Sequence, residues 1–340
     1  MAIDATGNAY VATPNTIYKT DATGARIASM GAYGSGDGTS ASVQFRDPTN
    51  VAVDRIGNLY VSDNGNHTIR KGVPMRAAGA EPPSRLVNAS VRANLIAGRR
   101  LIPGFVMSGG AKPVLVRAIG PGLSPFFPDG TALAADPRLE LYGGAAILIN
   151  ANDNWGGGAT LRDAFTALGA FPFAADSADA ALLHAIEGPH TAHALSVATD
   201  IGLIEVYDAG PSAATDPRLI NFSSRYEVGG GAGALILGFV IEGTGAKTVL
   251  IRGVGPALAQ FGVNGALADP RLEIYNGAQE KFAESDNWTL SLASLATQVG
   301  AFALPAGSKD ASVLLTLQPG LYTAVLTGTG EGLVEVYEVQ

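Results

Sequence analysis

The sequence predicts an all-β chain: incomplete β-propeller blades, then two homologous antiparallel β-sandwich domains of jelly-roll type with one short helix each. Three observations predict it. Apolar residues alternate with polar ones over short runs, the period of half-buried strands. Glycine supplies 44 of 340 residues, nearly twice the usual share, so tight turns must be frequent and the strands between them short. The chain also repeats itself at two different periods, which marks modular construction. Its length allows two or three domains at roughly 100 to 200 residues each.

The first repeat lies in residues 1–73. Ile3-Asp4-Ala5-Thr6-Gly7-Asn8-Ala9-Tyr10-Val11 returns 50 positions later as Val53-Asp54-Arg55-Ile56-Gly57-Asn58-Leu59-Tyr60-Val61. Each copy reads as strand, turn, strand. Gly7 and Gly57 stand where a hairpin turn requires positive φ, and Asp4 and Asp54 can accept turn N–H groups. Thr16-Ile17 with Lys19 and Thr68-Ile69 with Lys71 supply a third strand, and Arg26 to Met30 a fourth after the turn Asp21-Ala22-Thr23-Gly24. Four antiparallel strands per repeat describe a propeller blade. The second blade is expected to stop at Lys71, because Gly72 to Pro83 ends in Pro82-Pro83, which cannot donate to a ladder.

Phe45 to Asp54 followed by Gly57 to Asp63, then Asn64-Gly65-Asn66-His67-Thr68-Ile69-Arg70-Lys71, resembles an NHL-repeat propeller blade. The resemblance implies a ring, and a ring closes only with roughly four to eight blades. With two at most here, upstream blades are expected outside this sequence, as in a fragment of a longer protein. Met1 to Tyr10 has no basic or apolar leader pattern, so no signal peptide is expected within the chain. The unfinished blade edge is expected to favour self-association.

The second repeat fills the rest. Arg85-Leu86-Val87-Asn88 returns as Arg218-Leu219-Ile220-Asn221, Val114-Leu115-Val116-Arg117 as Val249-Leu250-Ile251-Arg252, Asp136-Pro137-Arg138-Leu139-Glu140 as Asp269-Pro270-Arg271-Leu272-Glu273, and Glu205-Val206-Tyr207 as Glu335-Val336-Tyr337. The domains are therefore 1–73 (about two blades), 74–83 (linker), 84–210 (first module), 211–216 (linker) and 217–340 (second module). About eight alternating runs per module suggest a two-sheet sandwich. Leu161, Ala164, Phe165 and Leu168, and Leu292, Leu295, Ala296 and Val299, keep helical spacing. The Arg-x-x-Gly-Pro and Asp-Pro-Arg-Leu segments resemble repeated β-rich units near the C-termini of large secreted bacterial proteins, a resemblance that implies no catalytic activity.

Composition narrows the chemistry. Zero cysteines exclude disulfides and thiolate sites. A net charge of −8 with scattered basic residues excludes nucleic acid as a natural partner. No apolar run reaches the roughly 18 residues of a membrane span.

Four histidines are the first metal or acid–base candidates: His67, His184, His190 and His193. His190 and His193 stand three apart on an expected strand, where they point to opposite faces and cannot easily share an ion. The aligned positions in the second module read as Gly320 and Thr323. Asn152 and Asp153, with Glu284 and Asp286, make oxygen-rich loops that a calcium ion would accept, against the commoner reading of Asx turns. Arg117 and Arg252 precede Gly-Pro turns; pairing with Asp136 and Asp269 is the scaffold reading, a carboxylate pocket the ligand reading. Trp155 and Trp288 are stacking platforms for sugar if exposed, and core if packed inward.

No Gly-x-Ser-x-Gly, His-Glu-x-x-His or phosphate-loop motif occurs. The expectation is a non-enzymatic structural, adhesive or binding region of a large extracellular or cell-surface protein. It needs no cofactor, calcium excepted, and has protein or polysaccharide partners. The alternatives are carbohydrate-binding modules, or part of an enzyme whose centre lies in further propeller blades.

Overall fold

The computed structural model describes residues 1–4, 7–38, 42–53, 59–72, 83–210, 216–229 and 233–339. They divide into two compact units, residues 1–81 with 210–213, and residues 82–209 with 214–340. The first is the blade segment. Strands β1 (Ala2–Ile3), β2 (Ala9–Ala12), β3 (Ile17–Thr20) and β4 (Arg26–Met30) form one antiparallel sheet in chain order. The short strands β5 (Ala32–Tyr33) and β6 (Gln44–Phe45) pair in parallel, and β7 (Pro48–Val53), β8 (Leu59–Asp63) and β9 (Thr68–Gly72) form a three-stranded meander. Gly7 takes φ +83° at the first hairpin, and the Asn8 N–H donates to Asp4 Oδ1 at 2.9 Å, as the repeat predicts. The matching turn with Asp54 and Gly57 lies outside the described residues. Tyr10 and Ile17 from the first sheet and Val51, Leu59 and Val61 from the second bury one common core with Phe45, so the two sheets stack face to face as neighbouring blades do.

The second unit contains both long modules. Its first copy supplies β10 (Arg85–Leu95), β11 (Arg100–Ile119), β12 (Arg138–Tyr142), β13 (Leu148–Asn152), helix α1 (Ala159–Leu168), β14 (Ala180–Leu195) and β15 (Asp200–Asp208). The second supplies β16 (Arg218–Val228), β17 (Leu235–Glu242), β18 (Lys247–Val254), β19 (Arg271–Asn276), β20 (Lys281–Ser285), helix α2 (Ala293–Gln298), β21 (Ala311–Leu317), β22 (Gly320–Thr327) and β23 (Gly330–Glu338). Eight strands in the second copy answer to six in the first. The long β11 and β14 each do the work of two, bending at a register shift between Met107 and Lys112 where Gly109 and Gly110 take positive φ.

The sequence leads one to expect two sandwiches in tandem. Instead the strands pair across the copies. One arm of the sheet runs β14, β11, β15, β10, β17, β22, β19, β20, and the other runs β13, β12, β14, β11, β16, β23, β18, β21. Each opening strand bridges its own copy and the other: β10 pairs β15 and β17, while β16 pairs β23 and β11. The joints are reciprocal, with Ala89 opposite Phe239 at one and Phe222 opposite Phe105 at the other. A single apolar cluster runs through both copies, including Leu86, Val91, Phe105, Phe222, Phe239 and Val336. Period-two patterning fixes which face of β10 is buried, not which strand lies beside it. That is why the boundary at 211–216, itself mostly outside the described residues, marks no break in the packing.

Helix α1 buries Phe165 and ends at Gly169 in the left-handed conformation. Helix α2 is shorter; Leu292 falls in the 3-10 turn before it, and Val299 caps it.

Candidate functional site

The duplicated residues converge on one buried constellation per copy. Register places Arg117 of β11 directly opposite Glu205 of β15, and Arg252 of β18 opposite Glu335 of β23. Arg117 Nε donates to Glu205 Oε2 at 2.8 Å and its Nη1 to the Phe171 carbonyl at 2.6 Å; Arg252 repeats both contacts with Glu335 and Phe302 at 2.8 and 2.7 Å. The Arg117 guanidinium lies 4.4 Å from the ring centres of Phe171 and Phe173 and 4.8 Å from Phe165, an aromatic box that excludes water. The pairing with Asp136 and Asp269 is thereby corrected. Asp136 sits exposed in a turn, and Asp269 pairs with Lys309 at 2.5 Å, because the Glu positions alone face the guanidinium across a ladder. With Arg117 at 0% and Arg252 at 1% exposure, both guanidiniums are spent inside the scaffold.

Beside each arginine stands a carboxylate that sequence reasoning missed. Fully buried Asp179 accepts the Gly120 N–H at 2.7 Å and the Gly122 N–H at 2.9 Å; Asp310 accepts Gly255 and Ala257 at 2.8 and 3.2 Å. Ser177 and Ser308 donate to the same carboxylates. The signal was present as Ser177-Ala178-Asp179-Ala180 and Ser308-Lys309-Asp310-Ala311. The turn they tie down leaves no room for a side chain: a Cβ on Gly120 would lie 1.8 Å from the Ala134 carbonyl oxygen.

The tryptophans belong to the same construction. Trp155 is 5% exposed, donates Nε1–H to the Ala174 carbonyl at 2.8 Å and packs on Phe165 and Phe173. Trp288 is half-buried and donates to Pro305 O and Ser308 Oγ at 3.1 and 3.0 Å. Trp155 thus offers no free ring face of the kind a sugar platform needs, while Trp288 is anchored through its indole N–H and keeps part of its surface open.

The oxygen-rich loops clip the sheet edges. Asn152 Oδ1 accepts the Ala181 N–H at 3.0 Å, joining β13 to the edge of β14 without a ladder, and Ser285 Oγ accepts the Ser312 N–H at 3.2 Å to join β20 to β21. Asp153 and Asp286 are exposed, and Glu284 is held by Lys281 and Arg271, both at 2.8 Å. Among the described residues no cluster of three or more metal-ligating side chains forms.

His67 follows a short 3-10 turn at φ +54° and precedes β9. His184, His190 and His193 all lie on β14. Register aligns His190 with Tyr322, since they oppose Phe105 and Phe239, and His193 with Val325, since they oppose Glu140 and Glu273. This corrects the alignment with Gly320 and Thr323, which missed the break between β21 and β22. His190 stacks on Phe105 as Tyr322 stacks on Phe239, so both serve packing. His193 lies 4.3 Å from the Tyr142 ring; burial, then the nearby Arg100, holds its pKa below the usual 6.5.

In the blade unit, Asp63 is fully buried and accepts the Arg46 N–H at 2.7 Å and Asn66 Nδ2–H at 2.8 Å. Arg70 reaches the carbonyls of Gln44 and Gly36 and stands over Phe45. The polar residues after β8 thus fasten the blade to the segment before it.

Fold and site together define an all-β chain with a unit of short blade-like sheets and a duplicated, strand-sharing antiparallel sheet whose repeated Arg–Glu pairs are internal. Residues 45–71 match the NHL repeat, which suggests a protein-binding or propeller-like role for that stretch. No curated protein matches the chain. Among solved structures, a DUF4785 family protein from Legionella pneumophila is similar at 12% identity and a TM-score of 0.20, over 78% of this chain and 69% of that one, too weak a likeness to carry fold or function.

Proposed function

We propose that the chain is a non-catalytic binding and spacing region of a larger extracellular or cell-surface protein. In this reading the blade segment engages a protein and the woven unit serves as a stiff support. The observation that carries it is the duplicated Arg–Glu pair: the chemistry kept in both copies is closed off by its own carboxylates and aromatic rings. A region kept for catalysis would leave such a cation facing a cleft. Strand sharing supports the same reading, because pulling on the unit must break both copies' ladders together.

The test is where the chain sits. Intact cells producing the full-length protein, treated with a non-permeant amine-reactive label, are expected to label this region. Labelling only after lysis would overturn the reading.

A further inference from the structure

The second unit contains an open groove of about 450 Å³ that touches the duplicated constellation only at Phe302, the Arg252 partner. It crosses the outer face of β14, β11, β16 and β23, where the copies join. Gly104 lies between Thr191 and Ser223 across the two ladders, and the apolar Ile102, Leu258 and Leu333 line the groove with them. Its rim carries Arg99, Arg100 and Arg225, and its walls carry Tyr226, Phe261 and Phe302.

The three guanidiniums meet three carboxylates, but they are not equally held. Arg99 is bound by Glu227 at 2.9 Å and Glu331 at 2.5 Å, whereas Arg225 meets the same Glu331 only at 3.4 Å and Arg100 meets Glu140 only at 3.7 Å. Each guanidinium has five N–H donors in a planar fork. The Arg100 and Arg225 side chains are 48% and 50% exposed, so donors remain open to a ligand. Phe261 is 57% exposed beside them and packs edge-on against Phe302.

We infer that this groove binds an acidic polysaccharide segment, a run of uronate residues. Arg100 and Arg225 take the carboxylates, the exposed face of Phe261 takes a sugar ring, and Thr191 and Ser223 take ring hydroxyls. Carboxylates at sugar spacing match forked donors, and the gap at Gly104, bordered by apolar Ile102 and Leu333, leaves room for the apolar face of a pyranose. The groove needs both copies, since Arg100 and Thr191 come from the first and Arg225 and Phe261 from the second. This inference rests on the reading of the chain as a binding region and names its ligand class.

The experiment is calorimetric titration of the full chain with hexagalacturonate at low and physiological salt, with a neutral hexaglucan and a hexaglutamate peptide as comparisons. Binding of hexagalacturonate alone, weakened by salt, is the expected result. Arg100→Ala and Arg225→Ala should each weaken it about tenfold, the loss of one charge-assisted contact. Ser223→Tyr, which fills the floor and leaves every charge in place, should abolish it. Unchanged circular dichroism and melting keep a folding defect from imitating these losses. No hexagalacturonate binding, equal binding of hexaglutamate, or binding indifferent to Ser223→Tyr would each overturn the inference. None of these outcomes bears on surface labelling, so the site can fail while the wider reading stands.

Discussion

A guanidinium taken wholly out of water must find its compensation within a few ångströms, and Arg117 finds it in one carboxylate, one carbonyl and three aromatic faces. Removing the cation alone leaves Glu205 buried and unpaired. Arg117→Met should therefore destabilise the unit by about 3–5 kcal/mol in denaturant unfolding, and Arg117→Met with Glu205→Leu should recover most of that loss. Arg117→Lys should not substitute, because an ammonium cannot span Glu205 and the Phe171 carbonyl as the fork does. Tyr207 and Tyr337 report on the same boxes. Burial first, then Glu205 and Glu335, pushes both phenols above their ordinary value of 10.0. An unfolded phenol releases its proton near pH 10 while the folded one keeps it, so this contribution is complete below that pH and lost as pH rises above it. Ultraviolet titration should find two tyrosines that ionise only as the fold is lost. His193 has the opposite sense: its folded pKa is lowered, so the unfolded state takes up the proton first and stability falls as pH drops below 6.5. His193→Val, the residue found at the matching place in the second copy, should flatten that slope in midpoints compared at pH 8 and pH 5.

Between residue and fold lies the question of what closes a strand's edge. The β13–β14 and β20–β21 gaps are spanned by side chains, Asn152 in one copy and Ser285 in the other, instead of ladders. Asn152→Ala removes the acceptor of the Ala181 N–H and should cost about 1 kcal/mol, with faster amide exchange confined to Ala181 and its neighbours. At this scale the sequence was an uneven guide. Alternation and glycine spacing located β2 to β4 and β9, the helix at Phe165 and the turn at Gly7, because each follows from local chain geometry. For Trp155 the turn residues around it left both an exposed platform and inward packing open, and the rings of Phe165 and Phe173 decide for the second. The partner of Arg117 was not legible, since Asp136 and Glu205 recur at similar offsets and only the register of β11 on β15 separates them. Asp179 was missed because its duplicated Ser-x-Asp-Ala run reads locally like any polar turn, and only the fold brings the Gly120 and Gly122 N–H groups to it.

At the scale of the whole unit, sharing strands turns two homologous modules into one cooperative body. Cut between the modules, residues 84–210 keep β10 with one ladder lost and the first half of β11 without β16. Leu86, Val91 and Phe105, all buried in the intact unit, would then face water, at about 1.5–3 kcal/mol for each large side chain. The piece also loses the Glu338 carboxylate, which accepts the Leu86 N–H and pairs with Lys247 at 2.5 Å and Arg218 at 3.1 Å. Residues 84–210 alone should therefore fail to give a folded monomer. They should either stay partly unfolded or pair with a second copy, whose β10 can take the place of β16. Mixing with residues 217–340 should restore native circular dichroism at equal molar ratio, and the intact unit should unfold in one transition with coincident far- and near-ultraviolet signals. Sedimentation equilibrium of the isolated piece decides the matter: a stable, dilution-independent monomer with a sharp melting transition would mean that each copy closes its own sheets, and that the shared strands add little to either.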